Sequence, residues 1–263
     1  SYSGSARFSD AIGIPDIMDS YTFAQYFNRA SANKGGGDIF APAVMERIKA
    51  YQEGTLKATT VDNGAGIWQK WANANGNTDW FEEFYDHWAP SQEHNLSING
   101  GTDKTQYLIS GSFLDQKGLM RHGSDKFQRY TLNGKITTAV TDWFKVTYST
   151  KWTREDFERP TYLTGSFFHN LARKWPVHPA YDPNGFPMDE GEVEQMENGG
   201  KQNSQKDFYT NQLQLVFEPI KNWKINLEGS VRTTTQYQHW EVLPVYAYNA
   251  VSYTHLRAHE TVL

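Results

Sequence analysis

Between His94 and Arg154 the chain alternates apolar and polar residues in runs broken by very short polar turns. His94-Asn95-Leu96-Ser97-Ile98-Asn99 enters Gly100-Gly101-Thr102-Asp103-Lys104, and Thr105-Gln106-Tyr107-Leu108-Ile109-Ser110 leaves it. A second run over 131–136 reaches Thr141-Asp142, from which Trp143-Phe144-Lys145-Val146-Thr147-Tyr148 departs. The device recurs at Lys221-Asn222, followed at once by Trp223-Lys224-Ile225-Asn226. Successive side chains of a strand point to opposite faces, so period two with tight turns predicts an antiparallel meander with one greasy face.

Strand pairs are expected at 94–100 with 104–115, 126–140 with 143–156, and 207–218 with 223–239, after a first strand over 1–9. One face would carry Leu96, Ile98, Tyr107, Ile109, Phe113, Tyr130, Leu132, Ile136, Phe144, Val146, Tyr148, Trp152, Leu213, Leu215, Phe217, Ile225, Leu227 and Val231. The other would carry Gln106, Ser110, Asn133, Lys135, Lys145, Ser149, Lys151, Gln212, Gln214, Asn226, Glu228 and Arg232. The links at 101–104, 141–142 and 221–222 are short, whereas 116–125 is longer and 157–206 very long. Short turns on one rim and long loops on the other are the habit of outer-membrane barrels, whose short turns face the periplasm. Trp143 and Trp223 would then stand at the depth of an aromatic girdle. The segment 10–93 reads as an irregular, partly helical insertion. Helical spacing over 19–30 follows a capping Asp19 or Ser20, 42–51 starts on Pro42 and stops before Gly54, and a short helix is expected within 79–86.

Composition narrows the class without deciding it. No stretch of the 263 residues reaches the roughly 18 apolar residues of a membrane-spanning helix. Yet aromatics make up 15% of a chain whose mean hydropathy is -0.70. A barrel reconciles the two, because half of each strand faces a polar lumen. A secreted β-sandwich that binds or cleaves glycans would satisfy the same pattern, since each of its strands also buries one face. The absence of cysteine excludes disulfides and thiolate metal sites. The net charge of -5, without a basic run, gives no nucleic-acid footprint. There is no initiator Met and no signal peptide, so the natural start is expected upstream.

Particular words go further than periodicity. Asn77-Thr78-Asp79-Trp80-Phe81, the stretch His94 to Tyr107, and Ser110-Gly111-Ser112-Phe113-Leu114-Asp115-Gln116-Lys117-Gly118 together resemble the SusC/RagA-type TonB-dependent outer-membrane transporters of Bacteroidetes. The hairpin from Arg129 to Val146 and the loop holding Pro179-Ala180-Tyr181-Asp182-Pro183-Asn184-Gly185 add to the likeness, which runs to about residue 250. The resemblance implies an all-β fold, an antiparallel meander forming part of a transmembrane β-barrel of about 22 strands around a plug. It implies import of a bulky nutrient, commonly a glycan oligosaccharide and sometimes a peptide, without enzymatic activity. The implied partners are a SusD-like surface lipoprotein, the TonB complex, and outer-membrane lipid; no cofactor is implied. Neither the TonB box nor the plug is found in these residues, so 1–250 is expected to be an early part of a barrel. Residues 251–263 resemble a translated adaptor sequence and are expected to be a non-native tail.

Motifs for other chemistry are sparse. Gly35-Gly36-Gly37 breaks a helix and precedes no Lys-Ser/Thr pair, so it is no phosphate cradle. His255 and His259 stand four apart, but two ligands make a poor metal site. Glu82 with Glu83, or Glu155 with Asp156, could serve glycoside hydrolysis only from opposite sides of a cleft; solvated charge is their simpler role. Asp182 to Gly185 offers oxygen atoms to calcium but reads first as a tight turn. No catalytic, cofactor or metal residue is therefore assigned. Among the aromatics of the 157–206 loop, Trp175 and Tyr181 are the candidates for stacking on a sugar ring. The same rings could instead form the small core that a long ordered loop needs.

Overall fold

The computed structural model describes residues 1–247, 251 and 257–259. Seven antiparallel strands form one sheet whose spatial order follows the chain: β1 (Tyr2–Ser9), β2 (Ala89–Gly101), β3 (Thr105–Lys117), β4 (Lys126–Thr141), β5 (Phe144–Pro160), β6 (Lys201–Ile220) and β7 (Trp223–Trp240). Among the described residues these strands do not divide into two packed layers, which excludes the sandwich. Nor do the seven close on themselves, because β1 and β7 each pair on one side only. A separate pair of three-residue strands, β8 (Val245–Ala247) with β9 (Arg257–His259), is joined by its backbone. His255 and most of 251–263 lie outside the described residues.

Register aligns the apolar residues into cross-strand rows. Ile98 opposes Ile109; Tyr107 opposes Ile136, which opposes Tyr148, which opposes Leu213. Val146, Leu215 and Leu227 form the next row, and Phe144, Phe217 and Ile225 the one nearest the short turns. This face stays open: Ile109 is 52% exposed and Leu227 53%. A contiguous apolar surface of that extent is not stable against water and marks a contact with lipid or protein. From Phe144 to Trp152 is eight residues, about 26 Å along the strand and about 20 Å when tilted as in a barrel, close to the hydrocarbon band. Aromatics bound both edges. Trp143 and Trp223 stand exposed at the short turns, and Trp152 with Tyr209 and Phe113 with Tyr130 stand at the far edge. Just beyond, the same face turns ionic, where Arg154 makes a two-pronged contact with Asp207 at 2.9 Å on each arm.

The strands run further than periodicity suggested at this far edge. β2 begins at Ala89 rather than 94, and β5 and β6 continue to Pro160 and from Lys201, which shortens the loop between them to 161–200. Above the apolar band both faces are polar, so the backbone ladder persists while the alternation that signals it fades.

All long connections emerge on this rim and fold together into a cap. Helix α1 (Ser20–Asn33) is capped by Asp19, which accepts from the backbone N–H groups of Tyr21 and Thr22. Helix α2 (Pro42–Gln52) starts on Pro42, and Gly54 takes a φ of 75° just past its end. Helix α3 (Trp80–Phe84) is capped by Asp79. The β5–β6 loop supplies α4 (Gly165–Leu171) and α5 (Val193–Asn198). Two cores join them. Trp80, Phe84, Met120, Phe167, Leu171, Val193 and Met196 form one, and Ala24, Phe40, Val44, Ile48 and Val177 the other.

Candidate functional site

The cap is sewn together by contacts between chain segments far apart in sequence. The Trp80 indole N–H donates to the carbonyl of Trp175 at 2.9 Å, and the Thr78 hydroxyl to that of His178 at 3.0 Å. Thr59 reaches the Tyr181 carbonyl at 3.0 Å, and the Trp68 indole donates to Asp182 at 3.0 Å. Lys70 lies 2.8 Å from Asp189 and 2.6 Å from Glu190. These bonds fix the loop of 161–200 onto the insertion between β1 and β2.

Where the two meet, a cleft of about 680 Å³ opens, lined by Phe27, Trp71, Tyr162, Trp175, Arg173 and Glu190 among others. Its aromatic wall is tightly set: the Trp175 ring lies 4.8 Å from Phe27 and 5.9 Å from Trp71. At its base Glu192 accepts from Tyr162 at 3.2 Å and Asn170 at 3.0 Å, and lies 3.3 Å from the ammonium of Lys174. Burial pushes the Lys174 pKa down, although Glu192 opposes the shift, and burial beside Glu192 pushes the Tyr162 hydroxyl up to about 12. Trp71, Glu190 and Glu192 all adopt left-handed backbone angles, with φ of 52°, 63° and 68°. For non-glycine residues that costs about 1–3 kcal/mol each and persists only where the surroundings enforce it. Strain thus gathers at this cleft.

Of the loop aromatics singled out in sequence, Trp175 is a wall of the cleft and Tyr181 is not. Tyr181 packs half-buried against the first core, its hydroxyl donating to Glu83 at 3.0 Å, which together with burial raises its pKa. The partners of Trp175, Phe27 and Trp71, come from the 10–93 insertion: Phe27 from the helix expected over 19–30, and Trp71 from the irregular stretch that follows α2. Asp182 behaves as a turn residue: one carboxylate oxygen accepts from the N–H groups of Asn184 and Phe186 and the other from Trp68. Glu155 and Asp156 point to opposite faces of β5, so they do not confront one another across a cleft.

Two histidines brace the cap in opposite electrostatic states. His122, between β3 and β4, is nearly buried with Glu83 of α3 at 2.8 Å from Nε2 and Glu197 of α5 at 2.8 Å from Nδ1. A neutral ring has one N–H only, so two carboxylate acceptors call for the imidazolium. Burial works against the charge, but the two carboxylates outweigh it and raise the pKa. His178 stacks on Trp71 at 4.5 Å and its Nε2 donates to the Asp189 carbonyl at 3.1 Å. Burial, with Lys174 nearby, pushes its pKa down to about 4.

The polar face of the sheet bears the other feature of note, a shallow basin of about 590 Å³ between β4 and β7 that contains Arg129, Lys151, Phe208 and Arg232.

A single open meander with one apolar and one polar face, tight turns on one rim and a folded cap on the other has the architecture of part of a β-barrel wall. The RagAB peptide importer in its closed-closed state superposes with a TM-score of 0.67 at 16% identity, over 92% of this chain and 28% of that one. A further structure of the RagAB peptide transporter gives 0.67 at 17%, over 92% and 29%. In sequence, 70 residues are 33% identical to TonB-dependent receptor P3 of Formosa agariphila, which is 27% of this chain and 7% of that protein. The chain therefore spans less than a third of the length of each of these relatives. No protein-family model matches it.

Proposed function

We propose that this chain is the early barrel wall and part of the outer loops of a TonB-dependent importer of bulky nutrients, and that it has no catalytic role of its own. The observation that carries the reading is the one-faced sheet with all long loops on one rim, on a fold shared with a transporter. The short turns with Trp143 and Trp223 face the periplasm, and the cap faces outward, where it meets cargo and a SusD-like surface lipoprotein. TonB engages parts of the transporter outside this chain.

For cargo we favour a glycan oligosaccharide over a peptide. What supports this is the cap cleft, where indole rings lie beside carboxylate, amide and guanidinium groups. Flat apolar rings receive the C–H face of a sugar while the polar groups take its hydroxyls. Trp175 is assigned the stacking role, and Tyr181, outside the cleft, is a second contact for a longer chain. The test is whole-cell uptake by the complete transporter of fluorescent oligosaccharides and peptides of matched length. Uptake of the oligosaccharide, weakened by Trp175→Phe, is expected; uptake of peptides alone would overturn the glycan reading.

A further inference from the structure

We infer that the basin on the inward face of β4 to β7 binds the acidic groups of an anionic oligosaccharide in transit; the inference rests on the glycan reading above. Arg129 of β4, Lys151 of β5 and Arg232 of β7 share this face by register and line one basin of about 590 Å³. The chain as a whole carries a charge of -5, so a cationic cluster runs against its composition. Glu155 also lines the basin, set by register between Arg129 and Lys206, yet among the described residues neither cation is within ion-pairing distance of it. Arg129 and Lys151 have no hydrogen-bonded partner there, and Arg232 and Lys206 have only the ring of Phe208, at 5.5 and 5.0 Å.

The Glu155 carboxylate offsets only part of this charge, since the lining carries three cations, Arg129, Lys151 and Arg232, to its one anion. Such a grouping favours an anion that brings its own charge. Lys151 and Arg232 lie two strand intervals apart, about 10 Å, which leaves room for a sugar ring between successive charge contacts. The Phe208 face offers that ring an apolar floor, and the hydroxyls of Thr131, Thr153 and Thr210 around the basin can donate and accept. An acidic peptide fits less well. Peptides bind sheets by adding to a free edge, and in the basin the backbone groups of β4, β5 and β6 are committed to both neighbours.

The experiment uses the complete transporter in detergent or nanodiscs and three probes of equal length: hexagalacturonate, maltohexaose and hexaglutamate. Titration calorimetry is run on the wild type and on the triple variant R129Q/K151Q/R232Q, with heat-modifiable mobility confirming that both are folded. Hexagalacturonate should bind at least about tenfold more tightly than maltohexaose, lose about tenfold in the triple variant, and weaken as salt rises. Hexagalacturonate binding no tighter than maltohexaose overturns this inference and leaves the glycan reading standing. Binding of hexaglutamate alone overturns the glycan reading as well. A triple variant that binds hexagalacturonate like the wild type but melts at lower temperature would show that the cations neutralise an acidic surface of the transporter itself, which also overturns the inference.

Discussion

The sheet and the cap are built from the same chain on opposite plans. The cap hides its large side chains within itself: Trp80, Phe84, Phe40 and Phe167 are all buried. The sheet turns an entire apolar face outward and leaves β1 and β7 with unpaired edges. Free edges and exposed apolar rows are what soluble proteins avoid. The cap is therefore stabilised by contacts that the chain supplies, whereas the wall leaves its apolar face and its two edges for other partners, which on the proposed function are lipid and further strands. A change in one region should leave the other largely intact, which gives the comparison consequences that can be measured in the complete protein.

The largest effect is expected at the junction of the cap. Trp80→Ala removes the ring that lies between Phe84 and His178 and under Lys174, and should cost the cap about 3–5 kcal/mol. Limited proteolysis of 161–200 should accelerate while heat-modifiable barrel mobility is retained. Loss of barrel assembly in this variant would show that the two regions are one cooperative unit. Next, Ile109→Arg or Leu215→Arg places a cation at mid-band and should cost about 2–4 kcal/mol in urea titrations of the barrel in liposomes. The neighbouring Ser110→Arg, pointing inward, should cost far less. Equal effects at 109 and 110 would remove the lipid-facing assignment.

Smaller effects probe the cap alone. Asp79 accepts from the N–H groups of Phe81 and Glu82, and Asp79→Ala should destabilise α3 by about 1 kcal/mol, seen as faster amide exchange there. The smallest effect is one of pH. The raised pKa of His122 means that its contribution is full below about pH 6.5 and is lost as pH rises through the folded value. The lowered pKa of His178 works the other way, its contribution falling away as pH drops from about 6.5 toward 4. Protection of the amides in α3 and α5, corrected for the intrinsic pH dependence of exchange, should therefore peak at about pH 6.5, and His122→Gln should flatten the alkaline side only. An unchanged alkaline limb would mean that Glu83 and Glu197 do not hold the imidazolium.

The two regions also differ in how much of them the sequence made legible. The hairpins at 101–104, 141–142 and 221–222 are local, so alternation located seven strands, and the structure assigns Leu96 through Val231 to the face expected of them. Asp19, Pro42 and Asp79 likewise mark helix starts that the structure keeps. What failed to show was non-local. Trp80 meets the Trp175 carbonyl across 95 residues and His122 meets Glu197 across 75, and no spacing rule reaches so far. The same distance hid the cleft, because Trp175 was visible as a loop aromatic but Phe27 and Trp71 gave no sign of being its neighbours.

By itself, then, the sequence determined the meander, its two faces and its two unlike rims, since each depends on period two and on turns a few residues long. Tertiary structure alone decided that the strands form one open sheet instead of two packed layers, for the periodicity of a single strand is the same in both. It decided, too, that the insertion of 10–93 and the loop of 161–200 share their cores, and that Arg129, Lys151 and Arg232, from three strands, meet in one basin. Those outcomes rest on register and on packing between distant segments, where the free energy belongs to the contact and not to either stretch of sequence.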